Sequence, residues 1–110
     1  MRKFGLIGYP LGHSFSKKYF TDKFSNEKLH DCSYENYPIN NLELLPGLVS
    51  SEPGLEGLNV TIPYKSEVIR LLNRIDDEAA RVGAVNVVKI KRIEGRVSLH
   101  GYNSDITGIC

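Results

Sequence analysis

The sequence is poor in the features that announce a compartment or a charged partner. Two cysteines among 110 residues, Cys32 and Cys110, cannot build a disulfide framework. Neither has a second cysteine or a histidine at metal-ligand spacing, so both are expected to be ordinary thiols and no metal is expected. Charge of one sign is also lacking: 14 Lys+Arg against 13 Asp+Glu leave +1, and the basic residues cluster only at Lys89, Lys91 and Arg92. A phosphate backbone needs a broader basic surface, so nucleic acid is not expected as a partner. No apolar run approaches the ~20 residues that cross a bilayer, and no membrane partner is expected. The opening Met1-Arg2-Lys3-Phe4-Gly5-Leu6-Ile7-Gly8 is broken before a signal-peptide core forms, so a cytoplasmic location is expected. That leaves little weight for Asn59-Val60-Thr61 as a glycosylation site. A Gly-x-Gly-x-x-Gly loop follows none of the strand candidates, and no repeat, low-complexity stretch or linker interrupts the chain.

What remains is ordinary globular composition, 41% apolar and 25% charged, enough for one domain over residues 1–110 with a packed core. Lys3 to Gly8 reads as a buried strand entering a turn at Gly8-Tyr9-Pro10. Phe15, Tyr19, Phe20 and Phe24 then share one helical face, with Ser14 or a neighbour as cap. Ser33 to Ile39 is a second strand, and Leu42 to Val49, interrupted by Pro46, a short helix or two pieces. Leu55 to Ile62 is a third strand, after which Pro63 suits the first turn of a helix reaching Asn73. Asp76 to Val82 reads as a short helix stopped at Gly83. Ala84 to Ile90 and Val97 to Leu99 form a hairpin through Glu94-Gly95. Strands alternating with helices predict an α/β fold: a mainly parallel sheet flanked by helices on both faces, with one antiparallel hairpin strand. In such sheets ligands sit beyond the carboxyl ends of the strands.

Four polar segments fall where chemistry can gather. In Gly8-Tyr9-Pro10-Leu11-Gly12-His13-Ser14-Phe15-Ser16, two hydroxyls arrive at a helix start, where N–H groups favour a small anion such as a carboxylate; Ser14 acting as a plain cap is the equal alternative. Asn59 and Thr61, two residues apart, point to one side of a strand. Lys65 falls in the expected first helical turn, where the helix dipole disfavours a cation. It is either a solvated surface lysine or an ammonium kept there to bind a substrate oxygen or move its proton. Asn86 carries an amide among apolar neighbours and must find backbone or ligand. Asn103-Ser104-Asp105 is either a helix cap or the source of a carboxylate that pairs with a lysine.

Taken in order, Gly8-x-Pro10-x-x-His13-Ser14-x-Ser16, Asn59-Val60-Thr61-x-Pro63-x-Lys65, Gly83-Ala84-Val85-Asn86 and Asn103-Ser104-Asp105-x-x-Gly108 resemble the N-terminal half of the shikimate dehydrogenase family, over about residues 4 to 109. The resemblance implies NADPH-dependent reduction of 3-dehydroshikimate to shikimate, on the way to chorismate and the aromatic amino acids. It implies Lys65 and Asp105 as the catalytic pair. Ser14 and Ser16 would grip the substrate carboxylate, and Asn59, Thr61 and Asn86 would fix the ring and its hydroxyls, with Lys65 and Asp105 also touching substrate. NADP(H) would be bound mainly by a C-terminal dinucleotide-binding domain absent from this chain, so the 110 residues alone are expected to be inactive. The same features allow a quinate/shikimate relative, a non-catalytic module holding shikimate-like acids, and a homodimer. Lys17, Val87 and Ser104 depart from the family's usual proline, Thr or Ser, and Thr at those places.

Overall fold

The computed structural model describes residues 2–11, 15–27 and 31–104, with side chains at 15–17 outside that description. Six strands, β1 (Arg2–Gly8), β2 (Cys32–Pro38), β3 (Leu55–Val60), β4 (Arg74–Ile75), β5 (Val87–Ile93) and β6 (Arg96–Tyr102), form one sheet in the order β2-β1-β3-β5-β6-β4. β1 pairs in parallel with β2 and β3, and β4 with β6; β5 alone runs against its neighbours β3 and β6. The expected sheet is therefore present, with β5 as its antiparallel strand. The hairpin turns at Glu94-Gly95, where φ values of 52° and 78° suit a left-handed bend.

Helix α1 (Phe15–Asn26) lies on one face, with Phe20 stacked on Tyr34 of β2 at 4.8 Å and Phe24 against Phe4 of β1 at 5.9 Å. Tyr19 does not share that buried face as its spacing suggested: it is 59% exposed and touches the Phe20 ring edge-on. On the other face pack a 3₁₀ helix (Leu42–Leu44), α2 (Leu45–Ser51), a second 3₁₀ helix (Glu67–Leu71) and α3 (Asp77–Val82). Their Leu42, Leu45, Val49, Val68 and Ala79 close the core with Ile7, Leu55, Leu58, Val60 and Val88 of the sheet. A register shift opposite Lys3 and Phe4 lets Leu55 and Leu58 both reach this core although they are an odd number of positions apart in the strand.

Local chemistry explains most boundaries. Pro46 sits in the first turn of α2 and splits the Leu42–Ser51 segment into two pieces. Asp76 caps α3 by accepting from the Glu78 N–H, and Gly83 ends it in the left-handed conformation. The helix expected from Pro63 to Asn73 shortens to the 3₁₀ segment Glu67–Leu71, followed by β4, which sequence reading missed. The cause is tertiary: the Lys65 carbonyl accepts from Val85 N–H at 2.7 Å, and the Ile69 N–H turns to Ser66 instead. Lys65 thus precedes the helix and lies in a turn, so the helix-dipole argument for its oddness does not hold. No described helix is long and apolar enough to cross a membrane.

Candidate functional site

The carboxyl ends of β1 and β3 exit side by side. Thr61 N–H donates to the Ile7 carbonyl at 3.0 Å and Tyr9 N–H to the Ile62 carbonyl at 3.1 Å, so the two exit loops are stitched together. Gly8 makes this approach possible: a Cβ there would lie 2.4 Å from Thr61 Cγ2 and 3.0 Å from the Ile62 carbonyl oxygen. β3 alternates as its sequence indicates, with Leu58 and Val60 buried in the core and Asn59 and Thr61 half-buried on the other side.

Asn86 stands at the entry to β5, directly beside that exit. Its carbonyl accepts from Val60 N–H at 2.8 Å and its N–H donates to the Tyr102 carbonyl at 3.0 Å, joining the ends of β3 and β6. Its side chain accepts from Ser104 N–H at 2.9 Å and donates to Ser104 Oγ at 3.1 Å. Asn103, 7% exposed, donates to the Ala84 carbonyl at 3.1 Å, which holds the same turn from its other side. Lys65, half-buried, is tied by its carbonyl to Val85, the residue before Asn86.

Four of the expected site residues, Asn59, Thr61, Lys65 and Asn86, are thereby gathered at one end of the sheet, on segments that hydrogen-bond one another. Ser14 and Asp105 lie outside the described residues, as does the side chain of Ser16; the residue before Asp105, Ser104, is bound to Asn86. Asn59 brings in a partner that its motif did not reveal. Its Nδ2 donates to the Tyr34 hydroxyl at 2.8 Å, and Tyr34, 3% exposed, stacks on α1. The available signal was chemical: a tyrosine buried in a strand needs a partner for its hydroxyl.

A hollow of about 490 Å3 opens on the α1 face of the sheet, lined among others by Phe4, Phe20, Tyr34, Asn59, Val87 and Lys89. It shares only Asn59 with the gathered polar residues, so the hydroxyl-and-amide cluster at the strand ends lies at its margin. Tyr37, on β2, has its hydroxyl pKa pushed up by burial and next by Glu52, with Lys3 opposing. Among the described residues no group of three or more His, Cys, Asp or Glu is placed to hold a metal. At the β1 exit, the space a bare glycine leaves at Gly8 is filled by the Thr61 methyl group.

Hydroxyl, amide and ammonium groups thus share one end of the sheet and can donate to and accept from a polar ligand. Comparison with known proteins gives the following. Residues 6–88 match the family model described as the shikimate dehydrogenase substrate binding domain. The chain is 42% identical over 106 residues to the shikimate dehydrogenase (NADP(+)) of Methanococcus vannielii, covering 94% of this chain and 35% of that protein. It is 40% identical over 108 residues to the enzyme of the same name from Staphylococcus aureus strain Newman, covering 96% and 38%. The shikimate 5-dehydrogenase of Thermus thermophilus, solved in complex with shikimate, superposes with a TM-score of 0.81 at 35% identity, covering 98% of this chain and 40% of that one. The chain therefore spans little more than a third of the length of the curated relatives it matches.

Proposed function

The chain belongs to the shikimate dehydrogenase substrate-binding domain family, and from that premise we propose that it forms the substrate-holding and catalytic half of an NADP(H)-dependent enzyme interconverting 3-dehydroshikimate and shikimate. The observation that carries this reading is the convergence of Asn59, Thr61, Lys65 and Asn86 at the strand ends, with Ser104 drawn to Asn86. NADP(H), held mainly by a portion of the protein outside these residues, supplies or accepts the hydride.

The roles of the chain's own residues follow from charge. Ser14 and Ser16 bind the substrate carboxylate, while Asn59, Thr61 and Asn86 orient the ring through its hydroxyls. As the ketone is reduced, negative charge grows on its oxygen, and the Lys65 ammonium stabilises that charge and delivers or holds the proton there. Asp105 orients the ammonium and favours its charged form. Such a site works only when the ketone oxygen is placed within hydrogen-bond reach of Lys65, which is what the ring contacts secure.

Calorimetric titration of the 110-residue chain tests the binding half of this reading. Saturable binding of shikimate, weakened by Thr61→Ala, is expected, with quinate for comparison; a folded chain giving no heat with millimolar shikimate overturns it. The chain alone is expected to show no NADP-dependent oxidation of shikimate. In the complete polypeptide, Lys65→Ala is expected to lower kcat far more than it weakens shikimate binding. Equal losses would make Lys65 a ground-state binder.

A further inference from the structure

Lys65 sits in an irregular turn, where backbone position is not guaranteed by a helix or a ladder. Besides the Val68 N–H, which donates to the Tyr64 carbonyl at 2.9 Å, three bonds fix it. Tyr64 N–H closes the turn onto the Thr61 carbonyl at 3.0 Å, and Val85 N–H grips the Lys65 carbonyl from the far side. The third is a side-chain bond: the Tyr64 hydroxyl, in a residue only 5% exposed, donates to the Ile39 carbonyl at 2.6 Å. Tyr64 belongs to the same apolar cluster as Ile39, Leu42 and Leu45, and Ile39 follows β2 directly. One residue of the turn is thus driven into the core and bonded 25 residues away, while its neighbour is only half-buried.

We propose that Tyr64 is a positioning residue for Lys65, its hydroxyl anchoring the Thr61–Lys65 turn to the end of β2 so that the ammonium meets the substrate oxygen in register. The inference rests on the reading of Lys65 as the reacting cation. The backbone bonds hold the turn onto Thr61 and Val85, while apolar packing of the ring adds no direction of its own. The buried hydroxyl-to-carbonyl bond adds a directional tie to the end of β2, since breaking it strands two polar groups away from water. Displacement of a catalytic group by about 1 Å lowers turnover by as much as 10²-fold, whereas ring contacts from Asn59 and Asn86, which lie outside the turn, persist.

Tyr64→Phe keeps the ring and deletes only the anchor. In the complete polypeptide, we expect it to lower kcat for shikimate oxidation about five- to twentyfold, within that positional limit, with KM for shikimate changed less than about twofold and the thermal transition retained. Lys65→Met, measured in parallel, is expected to lose activity almost entirely. A Tyr64→Phe enzyme with unchanged kcat beside an inactive Lys65→Met enzyme overturns the positioning role and leaves the reading of Lys65 intact. Loss of the thermal transition, or kcat and KM worsening together, assigns Tyr64 to the core alone and also overturns it. An active Lys65→Met enzyme overturns the reading of Lys65 and the inference with it.

Discussion

Asn86 holds Ser104 from two directions, accepting its backbone N–H at 2.9 Å and donating to its hydroxyl at 3.1 Å. The amide, for which the sequence left backbone and ligand both open, thus takes the Ser104 backbone and ties the segment leading to Asp105 to the entry of β5. The proposed ring contact would use the same amide, so isosteric substitution separates the two.

Asn86→Asp keeps an acceptor for the Ser104 N–H but loses the donor to its hydroxyl, whereas Asn86→Ala loses both. The alanine variant is expected to bind shikimate about five- to thirtyfold more weakly, from about 1–2 kcal/mol of lost hydrogen bonding, and the aspartate variant to fall between it and the parent. Calorimetry with shikimate provides the comparison.

Tyr34→Phe removes the acceptor of the Asn59 amide while retaining the stack on Phe20. With that amide no longer oriented, shikimate affinity is expected to fall about fivefold, corresponding to about 1 kcal/mol. Thermal stability is expected to change far less than on Tyr34→Ala, which also empties a buried aromatic site. Denaturation curves and titrations on both variants check the split.

Arg92 is the clearest stabilising device away from the site. From β5 its guanidinium donates to the carbonyls of Val49 and Glu52, each at 3.0 Å, and to that of Leu55, so it closes the end of α2 and fixes the start of β3. Arg92→Met strips these carbonyls of a charged donor and is expected to cost about 2–4 kcal/mol in urea unfolding. Shikimate binding by the molecules that remain folded is expected to be unchanged.

The fold was legible because its signals are local. Asp76, Gly83, Pro46 and Glu94-Gly95 set boundaries by their own backbone chemistry, and the structure places them where that chemistry requires. Of the expected site residues, Asn59, Thr61, Lys65 and Asn86 come out at one end of the sheet, but the helix expected around Lys65 does not form. Pro63 suits a helix start, yet the Lys65 carbonyl is taken by Val85, a competitor twenty residues on that no local propensity registers. Tyr34 and Tyr64 escaped notice for a related reason. Each acts through a hydroxyl bonded to a group 25 residues distant, which only the packed chain brings within reach. β4, two residues long, is too short to leave a periodic pattern.

Alkaline pH tests the pairing around β2. Tyr37 has its pKa raised chiefly by burial, and Lys3 has its own raised chiefly by its hydrogen bond to Glu52 at 2.6 Å. In both cases the protonated form is favoured in the folded state. Their contributions are thus complete below the ordinary tyrosine and lysine values, about 10, and disappear as pH rises through the raised folded values. Stability is expected to decline above about pH 10, and Tyr37→Phe to flatten that decline. Urea midpoints measured from pH 8 to 11 supply the readout.

Gly8 and Thr61 offer the most direct test of whether the two strand exits act as one unit. A Cβ added at Gly8 would come within 2.4 Å of Thr61 Cγ2, 3.0 Å of the Ile62 carbonyl and 3.1 Å of Leu11 Cδ2. Gly8→Ala must therefore move the Thr61 side chain or part the loops, at an overpacking cost of about 1–3 kcal/mol, and shikimate affinity is expected to fall with it. Thr61→Ser deletes the methyl group and keeps the hydroxyl, so it relieves the nearest of the three clashes. In the double variant the losses are expected to be smaller than the sum of the single ones, with a coupling of about 1 kcal/mol in a double-mutant cycle on binding. Strictly additive losses would show that Gly8 and Thr61 affect shikimate independently, and that the touching loops are not a shared support for the ligand.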